Sequence, residues 1–176
     1  MPDARVTDLT LPPEDVVARV FAEIDARAGA IADLTVELIR HRTVNPPGSG
    51  YEACCAFIGR RLAESGFATI RIRADGSPGD SDAFPRANVI ARKEGHGPGP
   101  CVHFNSHIDV VEAGYGWSID PFAGVIRDGR VYGRGACDMK GGLAASIIAA
   151  EAFTDSVPDY NGAIEIAATA DEEARA

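Results

Sequence analysis

Positive charge is scarce in this chain: 17 lysines and arginines stand against 26 aspartates and glutamates, a net charge of −9 over 176 residues. A surface with that balance repels a phosphate backbone, so nucleic acid is excluded as an expected partner. Long apolar runs are missing as well. None reaches the roughly 18 residues that a membrane span requires, and no membrane association is expected. Met1 to Val20 carries Asp3, Asp8, Glu14 and Asp15 and has no basic stretch followed by an apolar one. It therefore reads as neither a secretion signal nor a transit peptide, which leaves a cytoplasmic location as the expectation. Cysteines number only four. Cys54 and Cys55 are adjacent, Cys101 and Cys137 lie in other segments, and no pair has CxxC spacing, so a disulfide framework is excluded. Cys54, Cys55 and Cys101 are expected as buried thiols, packing as small hydrophobes.

What is present suits one globular domain, with 45% hydrophobic residues to fill a single core. After Pro12-Pro13-Glu14-Asp15, apolar residues from Val17 to Leu38 recur at three- and four-residue steps. This spacing predicts one long amphipathic helix, relaxed at Gly29 and ended by Asn45-Pro46-Pro47-Gly48. A second helix is predicted over Tyr51 to Glu64, stopped by Gly66. Phe67 to Arg73 alternates as a half-buried strand does, and Gly76 to Pro85 is a loop. Strands follow at Asn88 to Arg92 and Cys101 to Ser106, separated by a turn that places His96 in solvent. Asp128-Gly129 lies between two β-prone runs and signals a type I′ hairpin. A helix over Gly141 to Phe153 and an apolar strand over Ala163 to Ala168 complete the pattern. The fold class is α/β, a mixed and mainly parallel sheet flanked by helices on both faces. The chain ends three residues after Glu172-Glu173, where a central strand ordinarily leads into a covering helix, so an interrupted domain is expected.

Three clusters carry chemistry. Asn105-Ser106-His107-Ile108-Asp109 falls at the C-terminal end of a predicted strand, where open α/β sheets form their crevices. Period-two geometry puts His107 and Asp109 on one side, so the carboxylate can accept a hydrogen bond from the imidazole and fix which nitrogen faces a metal. His103, two steps earlier, reads as structural. Gly133-Arg134-Gly135-Ala136-Cys137-Asp138-Met139-Lys140-Gly141-Gly142 is a glycine-rich loop with Asp138 near a helix start, placed to bind a cation or to cap. It follows a hairpin and lacks a third glycine in register, which excludes a dinucleotide loop. In Glu172-Glu173, neighbouring side chains of an extended chain point in opposite directions, so one can ligate a metal and the other act as general base. Oxygen and nitrogen donors of this kind suit zinc, with cobalt or manganese as substitutes.

These runs, together with Trp117, Asp120-Pro121-Phe122, Asp128-Gly129, Tyr132 and the segment Thr43-Val44-Asn45-Pro46-Pro47-Gly48, resemble the co-catalytic di-zinc metallopeptidase and amidohydrolase family. That family contains acetylornithine deacetylase, succinyl-diaminopimelate desuccinylase, aminoacylase and glutamate carboxypeptidase. The resemblance covers residues 86 to 173 most strongly. It implies that His107 binds one zinc, Asp138 bridges two and Glu173 binds the second, with Asp109 orienting His107 and Glu172 as general base toward a zinc-bridged water. No further cofactor is implied. The peptide after Asp138 is often cis in the family, and Cys137 beside it reads as packing, with a metal-proximal role as the alternative. The implied reaction is hydrolysis of an amide in a small N-acyl amino acid or dipeptide-like molecule.

Relatives of this kind are longer, with a separate lid and dimerisation domain and later acidic and histidine ligands. Residues 1–176 are thus expected to be the N-terminal portion of a zinc-hydrolase catalytic domain. The partners implied are a small-molecule substrate, a complementary C-terminal chain and, in the full-length form, a second copy in a dimer. Ala174-Arg175-Ala176 departs from the small residues that usually follow the Glu-Glu pair. Hydrolytic deamination on the same scaffold, and a non-catalytic truncated relic or interaction protein, stay open as alternatives.

Overall fold

The computed structural model describes residues 12–173. The expectations placed on Met1 to Leu11 and on Ala174-Arg175-Ala176 lie outside the described residues. Two helices, α1 (Glu14–Ala26) and α2 (Ala28–Arg40), replace the single long helix predicted from periodicity. The break falls at Arg27 and not at Gly29. Arg27 N–H bonds back only three residues, to Ile24 O, while its guanidinium reaches Glu23 Oε1 at 2.6 Å and Asp155 Oδ2 at 2.8 Å. The partner on Asp155 comes from α4 (Gly141–Ser156), against which both α1 and α2 pack. A tertiary ion pair therefore marks the break, and nothing local to Gly29 does. The third helix, α3 (Tyr51–Glu64), has the predicted bounds, with Gly66 at φ 83° beyond its end.

Four strands form one sheet in the order β1 (Ala68–Arg73), β2 (Ala87–Glu94), β6 (Ala163–Thr169), β3 (Cys101–His107). β3 and β6 run parallel, while β1–β2 and β2–β6 are antiparallel, so the sheet is mixed as expected. Two of its three pairings are antiparallel where a mainly parallel sheet was expected, and the described helices cover one face and not both. A separate hairpin joins β4 (Val125–Arg127) to β5 (Arg130–Tyr132) through Asp128 and Gly129, both at positive φ as a type I′ turn requires. One core holds the molecule together: Ile58 and Leu62 of α3, Leu143, Ile147 and Ile148 of α4, and alternate sheet residues Val89, Ala91, Ile164, Ile166 and Ala168.

Two expectations about burial are corrected. The strand read as half-buried, β1, is exposed along its whole length. It is the outermost strand, and Ile70 and Ile72 share its face away from the core, where none of the described helices packs. The apolar anchor is instead Phe67, just before it. Cys101 is exposed while Cys54 and Cys55 are buried. Cys101 opens β3, at the edge of the described sheet, and shares the uncovered face with His103 and Glu165.

Candidate metal centre

Parallel pairing of β3 with β6 sets His107 opposite Thr169, so the two strands end side by side. Ile108 N–H donates to Thr169 O at 2.8 Å and continues that alignment one residue further. The segment after α2 joins them. Val110 N–H donates to Thr43 O, Asn45 N–H donates to Val110 O, and the Thr43 hydroxyl donates to Ile108 O at 2.6 Å. His107, Asp109, Asn45 and the acidic turn after β6 are thereby gathered at the C-terminal ends of the strands, where α/β sheets open a crevice.

His107 is 6% exposed. Its Nδ1 lies 3.0 Å from the main-chain carbonyl of Asp109, which can only accept, so Nδ1 carries the proton and Nε2 is the free ligand atom. Nε2 faces Asp138 Oδ1 at 3.0 Å and Glu172 Oε2 at 3.7 Å. The expectation that the Asp109 carboxylate orients the imidazole is corrected in detail. Its Oδ1 sits 3.6 Å from Nδ1, and the carboxylate is engaged elsewhere. It accepts the main-chain N–H of Glu172 at 3.2 Å and of Glu173 at 2.8 Å, and Asn45 Nδ2 at 3.4 Å. The fully buried Asp109 holds His107 through its backbone and the Glu-Glu turn through its side chain.

Asp138 reaches the site from the turn Ala136–Lys140, where Asp138 and Met139 leave helical geometry and the peptide between them is cis. Lys140 anchors that turn. Its buried ammonium donates to Leu38 O at 2.9 Å and His41 O at 2.7 Å, carbonyls in the last turn of α2 and just beyond it. The turn after β6 bends, so Glu172 and Glu173 are not placed by simple strand alternation. Glu172 is exposed and Glu173 half-buried.

Ligand atoms of His107, Asp138 and Glu173 all lie within 4.8 Å of one another. Among the described residues, no lysine or arginine pairs with Asp109, Asp138, Glu172 or Glu173. Burial, then the charges of Asp138, Glu172 and Asp109, push the Glu173 carboxyl up, with His107 opposing. For His107, burial pulls downward, but the contacts with Asp138 and Asp109 and the charge of Glu172 outweigh it and raise the imidazole. Carboxylates crowded in this way around one imidazole are short of positive charge, which a divalent cation supplies. Zinc, cobalt and manganese accept this donor set. Beside the cluster lies a cleft of about 520 Å³, lined by Val111, Trp117, Arg134 and Cys137 together with Asp138 and Glu173. Cys137 is exposed there and not packed in the core.

Residues 103–176 match Peptidase family M20/M25/M40. This stretch, 74 of the 176 residues, is similar to that family. The chain is 43% identical over 143 residues to a succinyl-diaminopimelate desuccinylase from Thioalkalivibrio sulfidiphilus (strain HL-EbGR7), covering 80% of this chain and 34% of that protein. It is 42% identical over 147 residues to one from Stenotrophomonas maltophilia (strain K279a), covering 82% and 35%. Among solved structures, the di-peptidase Dug1p from Saccharomyces cerevisiae superposes with a TM-score of 0.77 over 90% of this chain and 35% of its own, at 23% identity. That last likeness is one of fold. The chain spans about a third of the length of the curated desuccinylases it matches.

The residues read from sequence as site residues, His107, Asp109, Asp138, Glu172 and Glu173, are brought together. His103 is not among them: it lies on the exposed sheet face, 2.9 Å from Glu165. Sequence reasoning did not single out Arg86, which reaches the turn from behind through Asp171. A lone arginine in a loop-to-strand junction gives no signal of that contact.

Proposed function

We propose that residues 1–176 are the N-terminal portion of the catalytic domain of a metal-dependent amidohydrolase. The substrate class is a small N-acyl amino acid or dipeptide-like molecule. The desuccinylases at 42–43% identity favour an N-succinyl amino acid within that class. One observation carries this reading: His107 Nε2, Asp138 and Glu173 converge within 4.8 Å. The donor set fits zinc, with cobalt or manganese as substitutes. His107, Asp138 and Glu173 would hold the metal, Asp138 shared between two ions.

A bound ion of this kind supplies Lewis acidity, acidifying water and polarising an amide carbonyl. Glu172, exposed and 3.7 Å from His107 Nε2, is the general base. It takes a proton from the attacking water at a carboxylate oxygen and returns it to the leaving amine nitrogen. Asp109 keeps Glu172 and Glu173 in register through their N–H groups. The cleft beside Asp138 and Glu173 receives the acyl or amino-acid arm. Two ions sharing three protein ligands fall short of the three that a catalytic zinc usually keeps, so the remaining ligands come from polypeptide beyond this chain. A complementary C-terminal segment, a dimeric full-length form and a cytoplasmic location belong to the same proposal.

Amine release from N-succinyl amino acids, measured on the polypeptide that includes the rest of the catalytic domain, tests this reading. Glu172→Gln is expected to keep its metal while kcat falls about 10²–10⁴-fold, and chelation is expected to abolish activity reversibly. Undiminished turnover in Glu172→Gln, or activity indifferent to chelation, contradicts it. A metal-free chain with no amine release would identify a non-catalytic interaction protein.

A further inference from the structure

Behind the acidic turn lies a second set of contacts that the proposed chemistry does not use. Asp171, the residue before Glu172, sits at φ 67°, in the left-handed region that non-glycine residues seldom occupy. That conformation turns the chain after β6 so that the next two N–H groups meet Asp109. Two donors and one cation from separate segments hold the Asp171 side chain, the cation, Arg86, by an ion pair without hydrogen-bond geometry. Asn45 Nδ2 and the Tyr51 hydroxyl each reach Oδ1 at 3.1 Å, and Arg86 Nε pairs with Oδ2 at 2.8 Å. Burial, then the charges of Asp109 and Asp171, raise the Tyr51 hydroxyl, so it remains a donor.

Arg86 is itself fixed. It is 5% exposed, donates from Nη1 to Pro47 O at 2.8 Å and to Phe84 O at 3.1 Å, and lies over the Tyr51 ring at 5.5 Å. Gly48 and Gly79, both at positive φ, flank the guanidinium so closely that a Cβ at either would collide with it. An arginine buried among fixed carbonyls and two bare backbones has little freedom to follow Asp171. Asp171 is therefore held where Arg86 is.

We propose that Arg86, acting through Asp171 with Tyr51 and Asn45, is a positioning residue that sets the placement of Glu172 and Glu173 for metal binding. It rests on the reading of His107, Asp138 and Glu173 as ligands. Positioning and simple electrostatics predict opposite signs. Removing the positive charge of Arg86 makes the site more negative, which by charge alone tightens cation binding. Loss of positioning weakens it, by about 10–100-fold for a partner one step removed from a ligand.

Co²⁺ titration of the polypeptide that includes the rest of the catalytic domain, followed by calorimetry and by the visible absorption of the bound ion, decides between them. Arg86→Gln is expected to weaken binding about tenfold or more and to alter the Co²⁺ spectrum. Tyr51→Phe, which changes no charge, is expected to move both in the same direction by a smaller factor. Arg27→Gln, which loses an ion pair far from the site, should leave both unchanged. Far-UV circular dichroism reports whether each variant is folded, and should Arg86→Gln not fold, Tyr51→Phe decides alone. Equal or tighter binding by Arg86→Gln, or an unchanged affinity and spectrum in Tyr51→Phe, overturns the positioning role while leaving the metal site standing. A wild-type polypeptide that binds no Co²⁺ overturns both.

Discussion

Single side chains in this protein divide sharply by what surrounds them. Burial pushes the Cys54 thiol up to about 11 and, with the neighbouring Cys54 charge, the Cys55 thiol up to about 12. Thiolate is the reactive species, so a brief treatment with iodoacetamide at neutral pH is expected to label the exposed Cys101 and Cys137 and leave Cys54 and Cys55 unmodified, as read by peptide mass mapping. Asp80 shows the opposite shift. Hydrogen bonds from Arg73 first, then from the Arg86 and Gly76 N–H groups, hold it down at about 2 against its ordinary 3.8. A carboxyl lowered by folding stabilises the native state fully above its unfolded value and loses that contribution as pH falls through the folded one. The stability gap between the native chain and Asp80→Asn is therefore expected to be constant above about pH 5 and to close between about pH 4 and 2 in acid titrations. A gap that widens on acidification would contradict the assignment.

At the scale of elements, α4 is the pillar, packed by α1, α2 and the sheet. Ile147 on it is fully buried, and Ile147→Ala is expected to cost about 2–5 kcal/mol in urea unfolding, because the surrounding helices cannot collapse onto the void. Elements set by local chemistry were legible in the sequence. Gly66 stops α3, Asp128-Gly129 turns the hairpin, and the apolar run Ala163–Thr169 is β6. Those set by distant contacts were not. The break at Arg27 depends on Asp155, 128 residues away, and the exposure of β1 depends on what packs over its outer face. The candidate site was legible for a related reason. His107, Asp138 and the Glu-Glu pair sit at strand ends and tight turns, which the sequence marks, whereas the clasp of Arg86 on Asp171 joins residues 85 positions apart with no periodicity to reveal it.

For the molecule as a whole, the central claim is that the ends of β3 and β6 and the turn before α4 form one metal centre. A ligand that binds only the native state stabilises it in proportion to occupancy, by about 2.7 kcal/mol at one hundred times Kd. Zinc is therefore expected to raise the melting midpoint of the chain, and a chelator to reverse the shift. Among the described residues, no helix is long and apolar enough to cross a membrane. The most direct measurement is the zinc content, after equilibrium dialysis, of the purified polypeptide that includes the rest of the catalytic domain, compared with His107→Ala and Asp138→Ala. Retention of zinc by the native polypeptide, and its loss from both variants while their circular dichroism is unchanged, is the predicted result. A native polypeptide that retains no zinc, or variants that retain as much, would contradict the account.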